Sequence, residues 1–447
     1  MNIGTTVVGI AKRVIAHPLI RNNSYFFFGT AIVAVANYLL NTSATHHFAP
    51  GDYSQFGVVL NLAVILIPIA GAMTSAVVRR ASFNRVRDGN AETQAILRAL
   101  VRFLTFFFTA LLIVTFLARA SVAHFLRLTS ATPIYFVIVS TYWVFLQGLL
   151  QALLQEEGKY GRISAVNIGE GAFRGVVGVT VITIGLGINV TLAVYMLSAI
   201  LATFFLPRPR AFWTGVRASR RVLVPIYRDM GPLLLSNIGF SFITTLDVVL
   251  CRRYLTPITA DHYVAITALA KVFTAATGSV GTIAFAEVVK ATHRGESSAR
   301  PLGISLALIA GLGAPFIAFC ALFGPFVTAF VFGGSFRESG HLLWITAITA
   351  CSVSLLGLET AYFNARHWLG YLPVFLLGSV VTIAALPLAH HTLRGYAGIY
   401  AIATSTLAII FLFPAFLGMT GRLRLGATPE TASTPSTPRE PRIVISE

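Results

Sequence analysis

Charged residues are scarce in this sequence. Asp, Glu, Lys and Arg make up 11% of its 447 residues, whereas a soluble domain carries about 25%. Hydrophobic residues make up 56%, and the mean hydropathy is +0.78. A chain of this length would form about three soluble domains, and this one lacks the polar surface to cover them. The composition therefore excludes a water-soluble enzyme and predicts an integral membrane protein with many spans.

Cysteine, nucleotide-binding motifs and catalytic motifs are also lacking. The three cysteines are odd in number and lie in or beside apolar runs, which excludes a disulfide-built secreted scaffold. No glycine-rich phosphate loop with a Lys-Ser/Thr pair is present, so we expect no cofactor and no direct use of ATP. No nucleophile–base or paired-carboxylate pattern stands out, so we expect no catalysis. The His pairs at 46–47 and 390–391 have no Cys or acid to complete a metal site.

Long apolar runs recur from residue 22 to residue 420. A bilayer core about 30 Å thick is crossed by about 20 residues of helix, and helices satisfy their own backbone hydrogen bonds in lipid. Twelve transmembrane helices are therefore predicted. They span 22–45, 53–78, 102–118, 132–155, 163–186, 188–206, 232–251, 263–289, 302–323, 341–363, 369–389 and 395–419. The first span is too long for the apolar region of a signal peptide, so none is expected.

The basic residues are distributed unevenly over the loops. With the N-terminus placed inside, 25 of the 33 Lys and Arg residues lie in inner segments and six lie in outer ones. This positive-inside pattern predicts that both termini are cytoplasmic. The net charge of +17 then suits an anionic inner leaflet. No basic stretch accompanies a foldable soluble module, so we expect no nucleic-acid partner.

The sequence contains a weak internal repeat. A shift of 210 residues aligns residues 53–82 with residues 263–292 without a gap. Each copy is the second helix of its half, and six helices per half is an even number, so the halves are expected to be parallel repeats with a cavity between them. The predicted divisions are an N-terminal lobe at 1–206, a basic cytoplasmic linker at 207–231, a C-terminal lobe at 232–420 and a disordered cytoplasmic tail at 421–447.

The segment that joins the first two predicted helices resembles the opening of polysaccharide-export flippases. It contains Leu39-Leu40, then Pro50-Gly51-Asp52-Tyr53, then Phe56-Gly57. In that family the first helix ends in an outer loop with a Gly or Pro, an acidic residue, a Tyr and an aromatic-Gly step, and a long second helix follows. These flippases belong to the multidrug/oligosaccharidyl-lipid/polysaccharide (MOP) exporter superfamily, and the helix plan of nearly the whole chain is similar to theirs.

The resemblance implies an all-α, V-shaped fold of two six-helix bundles. It also implies a substrate, an oligosaccharide on undecaprenyl diphosphate, which is moved by alternating access from the inner to the outer leaflet of a bacterial inner membrane. The product would serve the assembly of O-antigen, capsule or exopolysaccharide. The expected partners are the lipid-linked oligosaccharide, the lipid bilayer, and a polysaccharide polymerase with a chain-length regulator. Short outer loops and Ala/Val-rich helices depart from the family and leave the glycan open.

Three other functions fit parts of the pattern. Multidrug exporters of the same superfamily commonly carry an acidic residue in the first helix, where it binds organic cations. Residues 22–51 of this sequence contain no Asp or Glu. The major facilitator superfamily also has six plus six helices, but residues 78–90, VRRASFNRVRDGN, lack its Gly-x-x-x-Asp-Arg-x-Gly-Arg turn. A non-transporting assembly component stays open, although a polymerase of the O-antigen kind would normally show a larger outer loop.

Two cations fall inside predicted spans, where a charge costs about 2.5–3.5 kcal/mol and therefore needs a reason. Arg174 lies near the midplane of the fifth helix, where it can bind a diphosphate through a bidentate contact or pair with Glu170 four residues earlier. Lys271 in the eighth helix can pair with Asp247 in the seventh, and this pairing is the favoured interpretation, or it can extend to the outer interface.

A cationic cavity is the functional interpretation of these residues. Arg79 and Arg80 lie at its predicted inner mouth, where they can also serve topology alone. Together with Arg174 and Lys271 they favour an anionic substrate.

Three acidic residues are candidates for coupling transport to H⁺ or Na⁺. Asp247 and Glu359 lie on the seventh and tenth helices, where the resemblance places the coupling cation of many multidrug relatives. Glu170 is the third candidate because it neighbours Arg174.

Overall fold

The computed structural model describes residues 18–85, 90–157, 159–206, 220–293, 297–366, 368–389 and 392–419. Within these ranges all regular structure is helical. The described residues form twelve long helices, numbered here in chain order. They are α1 Pro18–His47, α2 Asp52–Arg85, α3 Asn90–Leu117, α4 Thr132–Glu156, α5 Tyr160–Thr183, α6 Gly187–Phe205, α7 Arg220–Tyr254, α8 Pro257–His293, α9 Ala299–Phe332, α10 Leu343–Ala365, α11 Leu372–Ala385 and α12 Leu393–Met419.

Each predicted span coincides with one of these helices, so the fold class predicted from the apolar runs is confirmed. Several helices extend further than predicted because hydropathy marks the lipid-facing part of a helix and not its polar ends. For example, α3 begins at Asn90 and α7 begins at Arg220, inside the predicted linker. The rest of that linker, 207–219, and the predicted tail lie outside the described residues.

The helices are long and apolar enough for a multi-pass membrane protein. Among the described residues, nine helical stretches meet the length and hydropathy of a membrane span. The other three long helices, α1, α2 and α8, each contain side chains that the structure does not describe. A short helix, Arg119–Phe125, joins α3 to α4, and two 3₁₀ turns, Gly334–Phe336 and Glu338–Leu342, join α9 to α10.

The two halves pair their helices in the same way. In the first half α1 packs on α5, α5 on α6, α6 on α4, α4 on α2 and α3 on α4. The second half repeats every one of these pairs six helices later, with α7 on α11, α11 on α12, α12 on α10, α10 on α8 and α9 on α10. A two-fold pseudo-symmetry therefore relates two six-helix bundles, which we call the N-lobe and the C-lobe.

Close packing of α5 on α1 fixes the interior of the N-lobe. Gly171, Gly175 and Gly178 form one stripe of α5, and a Cβ at these positions would lie 3.1 Å from Val33 Cα, 3.2 Å from Ala36 Cβ and 2.5 Å from Leu40 Cδ2. Small residues let two helix backbones approach closely in a membrane. The glycine stripe therefore lets α5 lie close against α1.

Candidate functional site

A cavity of about 610 Å³ lies between the two lobes. It is lined by α1, α2, α4, α5 and α6 of the N-lobe and by α8 and α9 of the C-lobe. Its charged lining residues are Arg174 from the N-lobe and Lys271 from the C-lobe, and none of its described lining residues is acidic. The structure thus brings together two cations from opposite halves of the chain. We call this space the interlobe cavity.

Arg174 is held by a polar network inside the N-lobe. Its side chain forms an ion pair with Glu170, as the four-residue spacing predicts, and its Nε donates to Ser198 Oγ at 3.3 Å. The guanidinium carbon lies 4.6 Å from the centre of the Tyr195 ring, a cation–π contact. Gln147 Nε2 donates to the second carboxylate oxygen of Glu170 at 2.9 Å. These partners, from α4, α5 and α6, hold the guanidinium at the cavity wall.

Lys271 does not form the expected ion pair with Asp247. Its Nζ donates to Asn61 Oδ1 on α2, across the lobe boundary, at 3.2 Å. The carboxylate of Asp247 instead accepts a hydrogen bond from Tyr263 at 2.8 Å. The prediction of this ion pair was wrong because it considered only how deep Asp247 and Lys271 lie along their helices. It did not consider the side chains of the other lobe, where Lys271 finds its partner. Asn61 and Lys271 are 210 residues apart, so they are equivalent positions of the repeat that meet beside the pseudo-symmetry axis.

The lobes are joined at one end of the cavity, where α1 ends and α2 begins. Asp261 on α8 is 6% exposed, and its two carboxylate oxygens accept the backbone N–H groups of Gly51 at 2.5 Å and Ser54 at 2.6 Å. One residue of the C-lobe therefore caps an N-lobe helix. Arg252 on α7 donates to the backbone carbonyl oxygens of Gly51 and Arg127. We call these five residues the closed end.

Gly51 is required at the closed end for two reasons. Its φ is +90°, a backbone region that side chains disfavour. A Cβ there would also lie 2.9 Å from Pro257 Cβ of the C-lobe. Nearby, the Tyr53 ring packs against Phe332 and Phe336 with centroid distances of 6.3 and 6.4 Å. Backbone and ring contacts thus reinforce the hydrogen bonds of the closed end.

The cavity opens sideways between α1 and α8. On one side of the molecule α2 packs along α7. The pseudo-symmetry relates α2 to α8 and α7 to α1, so α8 and α1 are the equivalent pair. The described residues of α8 and α1, however, do not pack along one another. Tyr38 on α1 and Val272 on α8 both line the cavity and are 42% and 58% exposed. The lateral opening is therefore a departure from two-fold symmetry.

A second, much smaller cavity of about 30 Å³ surrounds Asp247 in the C-lobe. Three buried oxygen atoms at this cavity lack a hydrogen-bond partner among the described residues: Asp247 Oδ1, Thr267 Oγ1 and Tyr400 Oη. Lys271 lines the same space. The volume holds one water molecule or one small ion, and oxygen donors suit a hard cation.

The other predicted site residues lie elsewhere or outside the described part. Glu359 on α10 is completely buried, and neither carboxylate oxygen has a partner among the described residues. It does not line the Asp247 cavity, which α10 reaches through Thr346, Thr349, Ala350 and Val353. The backbones of Arg79 and Arg80 belong to α2, but their side chains lie outside the described part.

Comparison with known proteins gives matches among solved structures alone. No protein-family profile and no curated protein matches the sequence. The inward-facing conformation of a multidrug resistance MATE family transporter of the MOP superfamily aligns with a TM-score of 0.63 and 16% identity, over 89% of this chain and 98% of that one. The lipid II flippase MurJ, in an inward closed conformation, aligns with a TM-score of 0.64 and 12% identity, over 88% of this chain and 87% of that one.

This chain has the MOP transporter fold. An outward-facing MATE family transporter of the MOP superfamily aligns with a lower TM-score, 0.55, at 16% identity over 90% of this chain and 96% of that one.

The sequence interpretation missed the uncharged members of the site. Asn37 on α1 accepts hydrogen bonds from Arg174 Nη1 at 3.4 Å and from the Tyr195 hydroxyl at 3.2 Å. Asn41, one turn further on, accepts from the Tyr53 hydroxyl. A signal was present in the spacing, because polar side chains four residues apart within an apolar helix mark one face. In this MOP fold that face of α1 lines the interlobe cavity.

Proposed function

We propose that this protein is a flippase that moves lipid-linked oligosaccharide diphosphates from the inner to the outer leaflet of a bacterial inner membrane. The observation that carries the proposal is the interlobe cavity, which receives one cation from each lobe and no acidic lining residue among those described. Arginine recognises phosphate oxygens through paired hydrogen bonds, and lysine recognises them as a point charge. A diphosphate bound between Arg174 and Lys271 would bridge the two lobes.

The lateral opening supports an amphiphilic substrate. Burial of sugar hydroxyls or phosphates without partners is costly, whereas a prenyl chain is stable in lipid. An opening between α1 and α8 lets the polar headgroup occupy the cavity while the chain stays in the bilayer. A small soluble substrate would have no need of such an opening.

Two independent lines support loading from the inner leaflet. The positive-inside count favours an orientation with the closed end on the outer side. The higher TM-score with the inward-facing MATE transporter than with the outward-facing one, 0.63 against 0.55, favours the same assignment. The charge gradient of the loops and the shape of the lobes therefore agree.

A multidrug or cation antiporter is the second candidate, because MATE transporters share the fold. The cavity charge speaks against it, since an organic cation would meet Arg174 and Lys271 without a described acidic partner in the same space. The lipid-linked substrate therefore remains the better match.

For coupling we propose the small C-lobe cavity at Asp247. Its unpartnered oxygens would receive Na⁺ or a proton, and Lys271 lines both this cavity and the interlobe cavity. A cation at Asp247 would repel the Lys271 ammonium, so ion binding and anion binding would affect one another. Glu359 stays a second coupling candidate, about 9 Å along α10 from Val353, the nearest α10 residue that lines the Asp247 cavity, given the rise of a helix over six residues.

The decisive experiment is a deletion in the native host combined with a reconstituted assay. Deletion should leave lipid-linked repeat units on the inner leaflet. In proteoliposomes, the R174Q/K271Q variant should flip the lipid-linked oligosaccharide at least tenfold more slowly than wild type, as measured by access of an added glycosidase. R253Q is the matched control, since Arg253 packs over Phe125 away from the cavity. Normal surface glycan in a deletion strain that has no second exporter would contradict the proposal.

A further inference from the structure

The ion pair of Glu170 with Arg174 separates two cavities. A cavity of about 490 Å³ lies between α5 and α6, toward the end where α5 begins. We call it the α5–α6 groove, and Arg162, Glu170 and Ser198 are its polar lining residues. Glu170 lines the groove and not the interlobe cavity, whereas Arg174 lines the interlobe cavity and not the groove. The carboxylate and the guanidinium of one ion pair thus face different cavities.

The surroundings of Glu170 offer few other charges. The elements packed on α5 contribute uncharged Gln147 from α4, Tyr195 and Ser198 from α6 and, among the described side chains of α1, Asn37. On α5 itself, Arg174 is the direct partner, and Arg162 lies about 12 Å away along the groove, at eight residues of helix rise. The side chains of Glu170 and Arg174 are 9% and 10% exposed. The charge of Glu170 is therefore balanced mainly by Arg174.

An anion in the interlobe cavity would compete with Glu170 for this guanidinium. Phosphate oxygens form charge-assisted bonds with arginine as strong as those of a carboxylate. When Arg174 turns to the anion, Glu170 keeps the hydrogen bond from Gln147 but loses its counter-charge. A buried carboxylate whose partner has been removed is strongly destabilised, and uptake of a proton removes that cost.

We propose, building on the proposed function, that Glu170 is a protonation site that takes up one proton from the α5–α6 groove when a diphosphate binds Arg174. The groove gives the proton a route that does not cross the substrate space. Since the groove reaches Glu170 from the end where α5 begins, the proton enters and leaves on that side. Proton uptake then regulates anion binding and is separate from the gradient coupling proposed at Asp247.

Thermodynamic linkage fixes the size and sign of the effect. If binding of one anion is accompanied by uptake of one proton, the anion affinity rises tenfold for each unit by which the pH falls, and the reverse coupling has the same magnitude. The E170Q variant has no carboxylate to protonate. Its affinity should therefore be independent of pH, and it should exceed that of wild type at high pH because Arg174 is free of its competitor.

The test is calorimetry on the purified full chain with UDP-glucose, a soluble diphosphate diester whose phosphates stay ionised near neutral pH. Titrations in buffers of different ionisation enthalpy count the protons taken up. Wild type should take up close to one proton per ligand, E170Q none, and the control E157Q the same number as wild type, because Glu157 pairs with exposed Lys159 outside both cavities.

The outcomes separate this inference from the proposed function. Binding without proton uptake by wild type, or equal uptake by wild type and E170Q, would overturn the protonation site and leave the flippase assignment intact. The proton count of wild type decides the matter even if E170Q does not fold. Failure of wild type to bind any diphosphate diester would overturn both.

A labelling experiment tests the route through the groove. Gly169 lines the groove, and no heavy atom lies within 4 Å of a Cβ built there, so G169C should be tolerated. With the native cysteines replaced, G169C should react with a membrane-impermeant thiol reagent. V176C, which is 69% exposed on α5 outside both cavities, should not react. A groove filled with lipid would leave G169C unreactive and would overturn this route.

Discussion

At the scale of single residues, Asp261 links the two lobes through one carboxylate. Its one carboxylate caps the first turn of a helix in the opposite lobe, so the N–H groups that start α2 are satisfied by the C-lobe. Helix N-termini leave N–H groups unpaired and favour negative charge. Separation of the lobes at this end would expose both the carboxylate and the N–H groups. The cap therefore favours the closed end energetically.

We expect D261N to weaken the closed end. An amide offers one acceptor oxygen and no charge, so the variant should lose about 1.5–3 kcal/mol, the usual value of a hydrogen bond to a charged group. Distances between spin labels on the two lobes should then show a larger population separated at this end. E157Q is the control, because Glu157 pairs with exposed Lys159 away from the closed end. An unchanged distance distribution in D261N would contradict the role of the cap.

A second residue-scale prediction concerns Asp247. If its cavity holds the coupling ion, D247N should abolish the dependence of flipping on a Na⁺ or H⁺ gradient while leaving slow, gradient-independent flipping. The measurement is flipping in proteoliposomes with and without an imposed gradient of each ion. A D247N variant that keeps the full gradient dependence of wild type would exclude Asp247 and direct attention to Glu359.

The residue pairs differ in how far sequence alone could predict them. The pair of Glu170 and Arg174 lies within one helix, where a spacing of four residues determines proximity. The partner of Lys271 lies in the other lobe, and nothing local to α8 indicates it. The internal repeat aligns Asn61 with Lys271. Two equivalent residues contact one another, however, only if the pseudo-symmetry axis passes between their helices. That information is contained in the packing and not in the sequence pattern.

At the scale of helices, the contact between α1 and α5 limits the size of the side chains on α5. A valine at Gly171 would place its Cβ 3.1 Å from the Cα of Val33, and backbone cannot move aside as a side chain can. Overpacking of this kind costs about 1–3 kcal/mol.

We therefore expect G171V to lower the thermal unfolding midpoint in detergent and to reduce flipping, since α1 carries one side of the cavity. G169A, two residues away on the same helix with open space around its Cβ, should leave the midpoint equal or higher because alanine favours helix over glycine. Equal midpoints for G171V and wild type would show that α1 and α5 adapt more freely than their packing implies.

Helix positions were predictable from the sequence, whereas helix ends were not. Lipid demands a long apolar run for each span, so the twelve helices could be placed. Beyond the lipid boundary no such demand applies, and α3 begins at Asn90, twelve residues before its predicted span. The α5–α6 groove could not be predicted from the sequence either, because a gap between two apolar helices produces no periodic pattern of residues.

At the scale of the whole molecule, the two lobes meet along α2 and α8 near the closed end. A Cβ at Gly57 would lie 3.6 Å from the Cβ of Val264. That separation suits a disulfide, for which Cβ atoms lie about 3.5–4.5 Å apart. The G57C/V264C variant should therefore form an interlobe disulfide under oxidising conditions. Flipping should stop on oxidation and return on reduction, and each single-cysteine variant should be insensitive. Full activity of the oxidised double variant would contradict alternating access at this end.

The existence of two bundles was predictable from the helix count and the repeat, but their asymmetry was not. An even number of spans per half requires parallel copies. The sequence does not indicate that α2 closes on α7 while α1 stays apart from α8. That difference depends on how the lobes tilt, which is a property of the conformational state and not of any one helix.

The equivalent positions at the axis differ in chemistry between the two halves. Two copies of the first half would set glycine against glycine at position 51 and asparagine against asparagine at position 61. Such an assembly would have neither the carboxylate that caps α2 nor the ammonium group in the interlobe cavity. The cap and the cavity cation therefore exist because the two halves carry different residues at matching positions, one supplying the charge and the other the group that receives it.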